Sequence, residues 1–259
     1  MSTESISLEL TPATQYLLRI GDSCLILAQR ISEWCGHAPV LEEDIAMSNI
    51  ALDLIGQARA VLSLVGQIEG HNYDEDQLAF LRNERDYFNL SLVELPRGDF
   101  AFAVLRNAMV ATWLKLLWES VSANSSHEEL RAIAAKALKE VRYHQQHSAD
   151  WVVRLGDGTD ESRARTEKAL KQLWRYVPEL FDTDAADHAA ADAGWGPRWS
   201  DLQEAWLADM RAILAEAQLA EPAASKFQST GKQGVHTEHM GYILADMQYL
   251  QRSFPAGAW

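Results

Sequence analysis

The chain has 259 residues and a mass of 29.0 kDa, above the common domain size of roughly 100 to 150 residues, so one large domain or a bundle with appendages is allowed. Its 23 Lys or Arg against 37 Asp or Glu give a formal net charge of −14 on a chain that is 47% hydrophobic, which excludes a disordered acidic tail and makes nucleic acid and anionic membrane surfaces poor partners. Only 14 Gly and 7 Pro interrupt it, and residues 40–95 and 97–177 contain no proline, so long regular elements are expected rather than the frequent breaks of an α/β protein.

Residues 1–11 lack the basic and apolar regions of a leader and are expected to be flexible. Leu17, Ile20, Cys24, Leu27, Ile31 and Trp34 then recur at helical spacing, with Pro12 near the start of the helix and Gly36 and Pro39 at its end. Cys24 and Cys35 lie too far apart on one helix to bond and read as reduced core thiols. No apolar run approaches the ~20 residues of a membrane span, so a reducing cytoplasm is the expected location. Residues 42–69 carry Met47, Ile50, Leu54, Val61 and Val65 on one face and further apolar residues around the rest, which predicts a helix at the centre of a bundle.

Asp74 with Gln77 resembles a capping pair that opens a third helix to about Leu95, before a turn at Pro96 and Gly98. Asp99 is placed to cap the next helix, which runs through Trp113 and Trp118 to a break at residues 123–126. Ser126 with Glu129 forms a capping box for a helix that passes His147 and stops at Gly156 and Gly158. A helix over about 161–180 is interrupted by Pro178, and residues 182–196, rich in Asp, Ala and Gly, read as a long surface loop with or without a short helix inside. Ser200 with Gln203 predicts a cap for a helix to about Leu219, and a last helix spans about 235–252. These are about eight helices with no strand, repeat or linker, so the expectation is an all-α bundle in a single domain over residues 1–259, with additional C-terminal helices.

Bundles of this kind include the ferritin-like one, whose di-iron centre needs a Glu from each of two helices and a Glu-x-x-His pair from each of the other two. Three residues before the eight histidines stand Trp34, Ile68, Asn124, Val141, His144, Ala185, Gln233 and His236, so neither Glu-x-x-His nor Asp-x-x-His occurs. The usual di-iron centre cannot be built from these residues. The apolar helices carry instead a sparse polar line: Asn49, Asp53 and Gln57 at spacing four, and Lys136, Glu140, His144, His147, Asp150 and Arg154 on the helix after Ser126. Asp53-x-x-Gly56 stands where Glu-x-x-His would be expected. One expectation is a former metal cavity closed by Asp53, Glu140 and a basic residue, with His144 in the network; the other is a solvated helix face.

His144 with His147 and His236 with His239 could bind zinc only if their helices faced each other; otherwise they are surface or capping histidines. Gly231-Lys232-Gln233-Gly234 before a helix is either a phosphate-binding turn or a plain one. No Gly-x-Ser-x-Gly nucleophile motif occurs, and the tryptophans within helices read as core or interface anchors.

Several longer motifs point to a family. These are residues 21–30, Glu33-Trp34-Cys35-Gly36-His37-Ala38-Pro39, the run from Asn49 to Arg59, Glu140-Val141-Arg142-Tyr143-His144, residues 155–160 and Leu173-Trp174-Arg175-Tyr176. With Gly231 to Gly234, His236-Thr237-Glu238-His239 and Met247 to Arg252, they make the chain resemble the C subunits of bacterial ring-1,2-phenylacetyl-CoA epoxidases over about residues 15–252. The resemblance implies a ferritin-like fold and a place in a multicomponent monooxygenase of aerobic phenylacetate catabolism that uses O₂ and NADPH. It further implies a non-catalytic scaffold that holds no cofactor itself and pairs with a homologous catalytic subunit, which bears the di-iron centre. A reductase with FAD and iron–sulfur, and a small accessory subunit, are the other implied partners.

The resemblance also implies that the scaffold borders the CoA thioester, held mainly by the catalytic subunit. Asp86, Tyr87, Phe88 and Asn89 on the third helix are the expected contact strip, and the loop after Phe181 is a second candidate. The reading with Phe88 in the core and Asp86 solvated is the alternative. A stand-alone oxygenase with a non-standard ligand set, and a histidine-based metal-binding bundle, are the competing functions; the missing Glu-x-x-His and the scarcity of clustered ligands argue against them.

Overall fold

The structure is a computed structural model that describes residues 5–254. Its first helix, α1 (Pro12–Ser32), starts on Thr11, whose hydroxyl accepts the Thr14 N–H while Thr14 returns a bond to the Thr11 N–H, with Pro12 in the first turn. α1 forms a hairpin with α2 (Leu41–Ile68). A second hairpin joins α5 (Phe100–Asn124), capped by Asp99 as expected, to α6 (Glu128–Gly156), and α2 packs on α6 to join the two pairs. This is the four-helix arrangement of a ferritin-like fold, with one continuous core that includes Tyr16, Met47, Trp113 and Trp118. Among the described residues there is no strand, only an isolated bridge between Thr230 and Val235.

The expected third helix is broken up. After α3 (Glu75–Phe80), capped by Asp74 and Gln77, the chain makes a 3₁₀ turn at Glu84–Asp86, runs extended, and re-enters helix only at α4 (Ser91–Glu94). The cause is long-range. The Asp22 carboxylate accepts the Phe88 N–H at 2.9 Å, the Ser23 hydroxyl accepts the Leu90 N–H at 3.1 Å, and the Glu179 carboxylate accepts the Ser91 N–H at 3.0 Å. Amides that a helix would have used are claimed by side chains of other elements.

Four further expectations need correction. Ser126 does not cap α6; its hydroxyl donates to the carbonyls of Ala193 and Gly194, and His127 stands at the N-cap position without a side-chain cap. The helix expected over 161–180 is two, α7 (Asp160–Trp174) and α8 (Val177–Phe181). The stretch 182–196 holds a short helix, as the sequence allows, α9 (Ala185–Asp192), which packs on α1, whereas Ser200 does not cap a helix but lies within a 3₁₀ turn that precedes α10 (Gln203–Glu216). The chain closes with α11 (Glu238–Ser253), capped by Thr237. Cys24 is buried as expected, but Cys35 is exposed beyond the end of α1.

The N-terminal segment is also tied down where it is described. Of residues 1–11, expected to be flexible, Ile6 donates its N–H to the Leu81 carbonyl at 3.2 Å, and the Ser5 hydroxyl accepts the Asn83 N–H at 3.0 Å. Residues 1–4 of that expectation lie outside the described residues.

α2 and α5 are each long and apolar enough to cross a bilayer by length and composition, yet the fold treats them differently. Of the most apolar stretch of α5, 78% is buried, against 44% for α2. The expected central position therefore belongs to α5. α2 turns Leu41, Ile45 and Leu52 outward, at 70%, 54% and 64% exposure.

Candidate functional site

The polar lines of α2 and α6 meet at their packed faces. His144 Nε2 lies 3.0 Å from Asp53 Oδ2, and Gln57 donates to Glu140 Oε2 at 3.0 Å while accepting the indole N–H of Trp118 at 3.2 Å. One turn along, His147 Nε2 lies 2.8 Å from Glu43 Oε2. Spacing of three and four residues puts Asp53 and Gln57 on one face of α2 and Glu140, His144 and His147 on one face of α6; Glu43, nearer the start of α2, joins them only through the fold. The contacts differ from a single closed ion network, however: Asp53 meets His144, Glu140 meets an amide, and Lys136 is exposed. Gln57 and His144 are buried, but the Asp53 side chain is 37% exposed, so the cluster opens to solvent along α2.

Burial pulls the His144 pKa below its ordinary value, against the pull of the Asp53 carboxylate. Burial also raises the Glu140 carboxyl; the Gln57 bond works against that and the nearby Asp53 charge adds to it. These residues do not suit an iron pair. Glu140 is followed three residues later by Tyr143 and Asp53 by Gly56, and His144 and Gln57 already engage the two carboxylates. Among the described residues no three His, Cys, Asp or Glu side chains converge as metal ligands.

The four expected contact residues, Asp86, Tyr87, Phe88 and Asn89, lie on a 3₁₀ turn and an extended segment instead of a helix. Tyr87 and Asn89 are fully buried and Phe88 is 6% exposed, so three of the four side chains are engaged inside the chain. Arg82 and Asp22, both completely buried, form the ion pair on which this segment is built, and Arg82 also lies 4.2 Å from the centre of the Tyr87 ring. The Tyr87 hydroxyl donates to the Ala79 carbonyl, and Gln248 of α11 donates to Tyr87 Oη at 2.8 Å.

The histidine pairs do not face each other as a zinc site. The His236 side chain is fully buried, with Nδ1 3.1 Å from Glu94 Oε2 and Nε2 3.0 Å from the Tyr87 carbonyl, so the ring is neither a surface nor a capping group. Burial disfavours its charge, but the Glu94 bond outweighs burial and leaves its pKa above the ordinary value. The loop Gly231–Gly234 does gather an anion, an internal one. Glu179 accepts the Lys232 N–H at 3.1 Å, the Ser91 N–H and the Ser229 hydroxyl at 2.5 Å. Gly231 is required there, because a Cβ would stand 2.4 Å from the Asn89 carbonyl oxygen.

The stretch after Phe181 also turns inward. Arg19, with no exposed side-chain surface, binds Asp184 at 2.5 Å and Asp187 at 2.7 Å, and Lys232 Nζ closes on Asp187 at 2.9 Å. Sequence reasoning missed these buried charges. Their only local signal was that Arg19 and Asp22 sit inside an otherwise apolar helix, which requires partners that the sequence places far away.

The phenylacetic acid catabolic protein family matches residues 2–259 of the chain. The chain is also 47% identical over 246 residues to the C subunit of the 1,2-phenylacetyl-CoA epoxidase of Escherichia coli strain K12, an alignment that spans 95% of this chain and 98% of that protein.

Proposed function

Because the chain belongs to the phenylacetic acid catabolic protein family, we propose that it is the non-catalytic subunit of a phenylacetyl-CoA epoxidase, pairing with a homologous di-iron subunit and stabilising it. In this reading the catalytic partner holds the iron and most of the CoA thioester, and a flavin and iron–sulfur reductase supplies electrons to it. The present chain contributes a helix-on-helix interface and no chemistry.

The observation that carries the reading is the outward face of α2. Val40, Leu41, Ile45 and Leu52 are exposed along one side of the bundle, and Gly56 continues the stripe with no heavy atom within 4 Å of where a Cβ would stand. Large apolar side chains beside an open glycine suit the close approach of another helix. The carboxylates and histidines behind this face engage one another and leave no Glu-x-x-His set for iron.

Co-expression with a tagged catalytic subunit tests the proposal. The unaltered chain is expected to co-purify with it, with all iron assigned to the catalytic subunit. The variant carrying Ile45→Asp and Leu52→Asp is expected to lose capture while keeping its melting temperature. Stoichiometric iron in the isolated chain, or turnover of phenylacetyl-CoA by this chain with only a reductase added, would refute the scaffold role. Undiminished capture of the double variant would refute the α2 interface.

A further inference from the structure

A cleft of about 440 Å³ lies between the segment from Leu95 to Asp99, the start of α5 and the outer face of α7. Leu95, Phe102 and Ala169 make its apolar floor, and Arg165, Lys168 and Arg175 stand around it. On a chain of net charge −14 this reverses the prevailing sign. Arg165 is bonded to Glu161 at 2.7 Å and lies 4.0 Å from Asp99. Lys168, Lys171 and Arg175, by contrast, have no carboxylate oxygen within 4.0 Å among the described residues. Lys171 and Arg175 continue into a second hollow beside Phe227, whose ring lies 3.8 Å from the Arg175 guanidinium.

Directly behind the floor lies a second anomaly. Arg106 is fully buried and donates from Nη1 to the carbonyls of Leu95 at 2.7 Å and Pro96 at 3.3 Å, two residues that line the cleft. Its Nε and Nη2 have no hydrogen-bond partner, and it forms no ion pair among the described residues. Burial, reinforced by the charge of Arg30 and only partly offset by Glu33, pulls its pKa down to about 9. A buried cation without a counter-ion is unfavourable, so the positive field of Arg106 adds to that of α7 and favours an anion in the cleft.

The cations extend from Arg165 on α7 to Arg175 just past its end, roughly 15 Å at helical rise, longer than one carboxylate can span. Guanidinium groups pair with phosphate oxygens in bidentate fashion, and ammonium groups act on phosphates as point charges. We infer that this cleft binds a phosphorylated small molecule with an apolar or planar body, its phosphates on Lys168 and Arg175, with Lys171 in reach from the adjoining hollow, and its body on Phe102 and Ala169. The site is independent of the α2 interface and of the subunit role.

Calorimetric titration of the intact chain with ADP and with pyrophosphate tests this. ADP is expected to bind at one site, more tightly than pyrophosphate and less tightly as salt rises. In the variant carrying Lys168→Ala and Arg175→Ala the affinity is expected to fall at least about tenfold, while Lys139→Ala, on the exposed face of α6, binds like the unaltered chain. Both cleft side chains are exposed, so an unchanged melting temperature will show that the double variant is folded. Absence of saturable ADP binding, equal affinity in the double variant, or saturation by a poly-glutamate peptide but not by ADP would overturn the inference. Pyrophosphate binding as tightly as ADP would overturn the role of the apolar floor.

Discussion

α2 and α5 have nearly the same apolar character and opposite fates. α5 is surrounded by its own chain, with Ala108, Met109, Trp113, Leu117 and Trp118 all closed from solvent, whereas α2 buries one side and leaves Leu41, Ile45 and Leu52 uncovered. Composition alone cannot separate them, because what differs is the number of neighbours. α5 packs against α6, α7 and α10, while α2 packs mainly against α1, α6 and the short α3. Covering a Leu or Ile side chain fully stabilises by roughly 1.5 to 3 kcal/mol. Three such residues on one stripe are therefore enough to matter in an association that must also overcome lost translational and rotational freedom.

The sharpest way to break this comparison is to truncate one residue on each helix. Trp113→Ala on α5 removes a fully buried indole and is expected to destabilise by about 3 to 5 kcal/mol, read from chemical denaturation. Leu52→Ala on α2 is expected to change the stability of the isolated chain by no more than about 0.5 kcal/mol. Comparable losses at both positions would mean that α2 is as enclosed as α5.

A second test concerns the charges that hold the outer segments to this core. Asp22→Asn leaves Arg82 buried without its counter-charge and is expected to cost about 3 kcal/mol. Because Asp22 also accepts the Phe88 N–H, amide exchange of residues 87–90 should accelerate more than that of α5. Uniform acceleration would show that the segment and the bundle open as one unit.

The long helices were legible because a 3.6-residue apolar period, caps at Asp74 and Asp99, and turns at proline and glycine are local properties. Residues 81–91 were illegible for the opposite reason. Asp22, Ser23 and Glu179 fix Phe88, Leu90 and Ser91 from 66 or more positions away, and no window of sequence contains both partners. The same holds for the stretch after Phe181, where Asp187 looks solvated by composition but meets Arg19 and Lys232 in the interior. At the α2–α6 cluster, helical spacing put Asp53 and Gln57 on one face and Glu140 and His144 on another, but it carries no information on which groups pair or on how open the cluster is to solvent.

A third prediction uses acid and base to compare the open cluster with the closed one. The His236 pKa is raised in the fold, so the stability it contributes is complete below the unfolded value of about 6.5 and is lost as pH rises through the folded value. His144 behaves inversely. Its folded pKa is lowered, so its contribution is present above about 6.5 and is lost as pH falls through the folded value. Replacing His236 by Gln should therefore reduce the loss of stability on the alkaline side, and replacing His144 by Gln should reduce the loss on the acidic side, both followed by denaturant midpoints across about pH 5 to 8. The reverse pairing would mean that Glu94 and Asp53 do not set the balance described for their histidines.

The smallest expected effect is at Asp53 itself. A closed charge network would make Asp53→Ala cost several kcal/mol, and a purely solvated residue would make it cost less than about 0.5. With the side chain 37% exposed and one bond to His144, the expected loss is about 1 kcal/mol. The sharper readout is the His144 titration by NMR. Asp53 opposes the burial that lowers the His144 pKa, so removing the carboxylate should move that pKa further down. A shift upward would mean that water entering at the open edge of α2 relieves more burial than the lost carboxylate had offset, and that the uncovered face extends inward as far as His144.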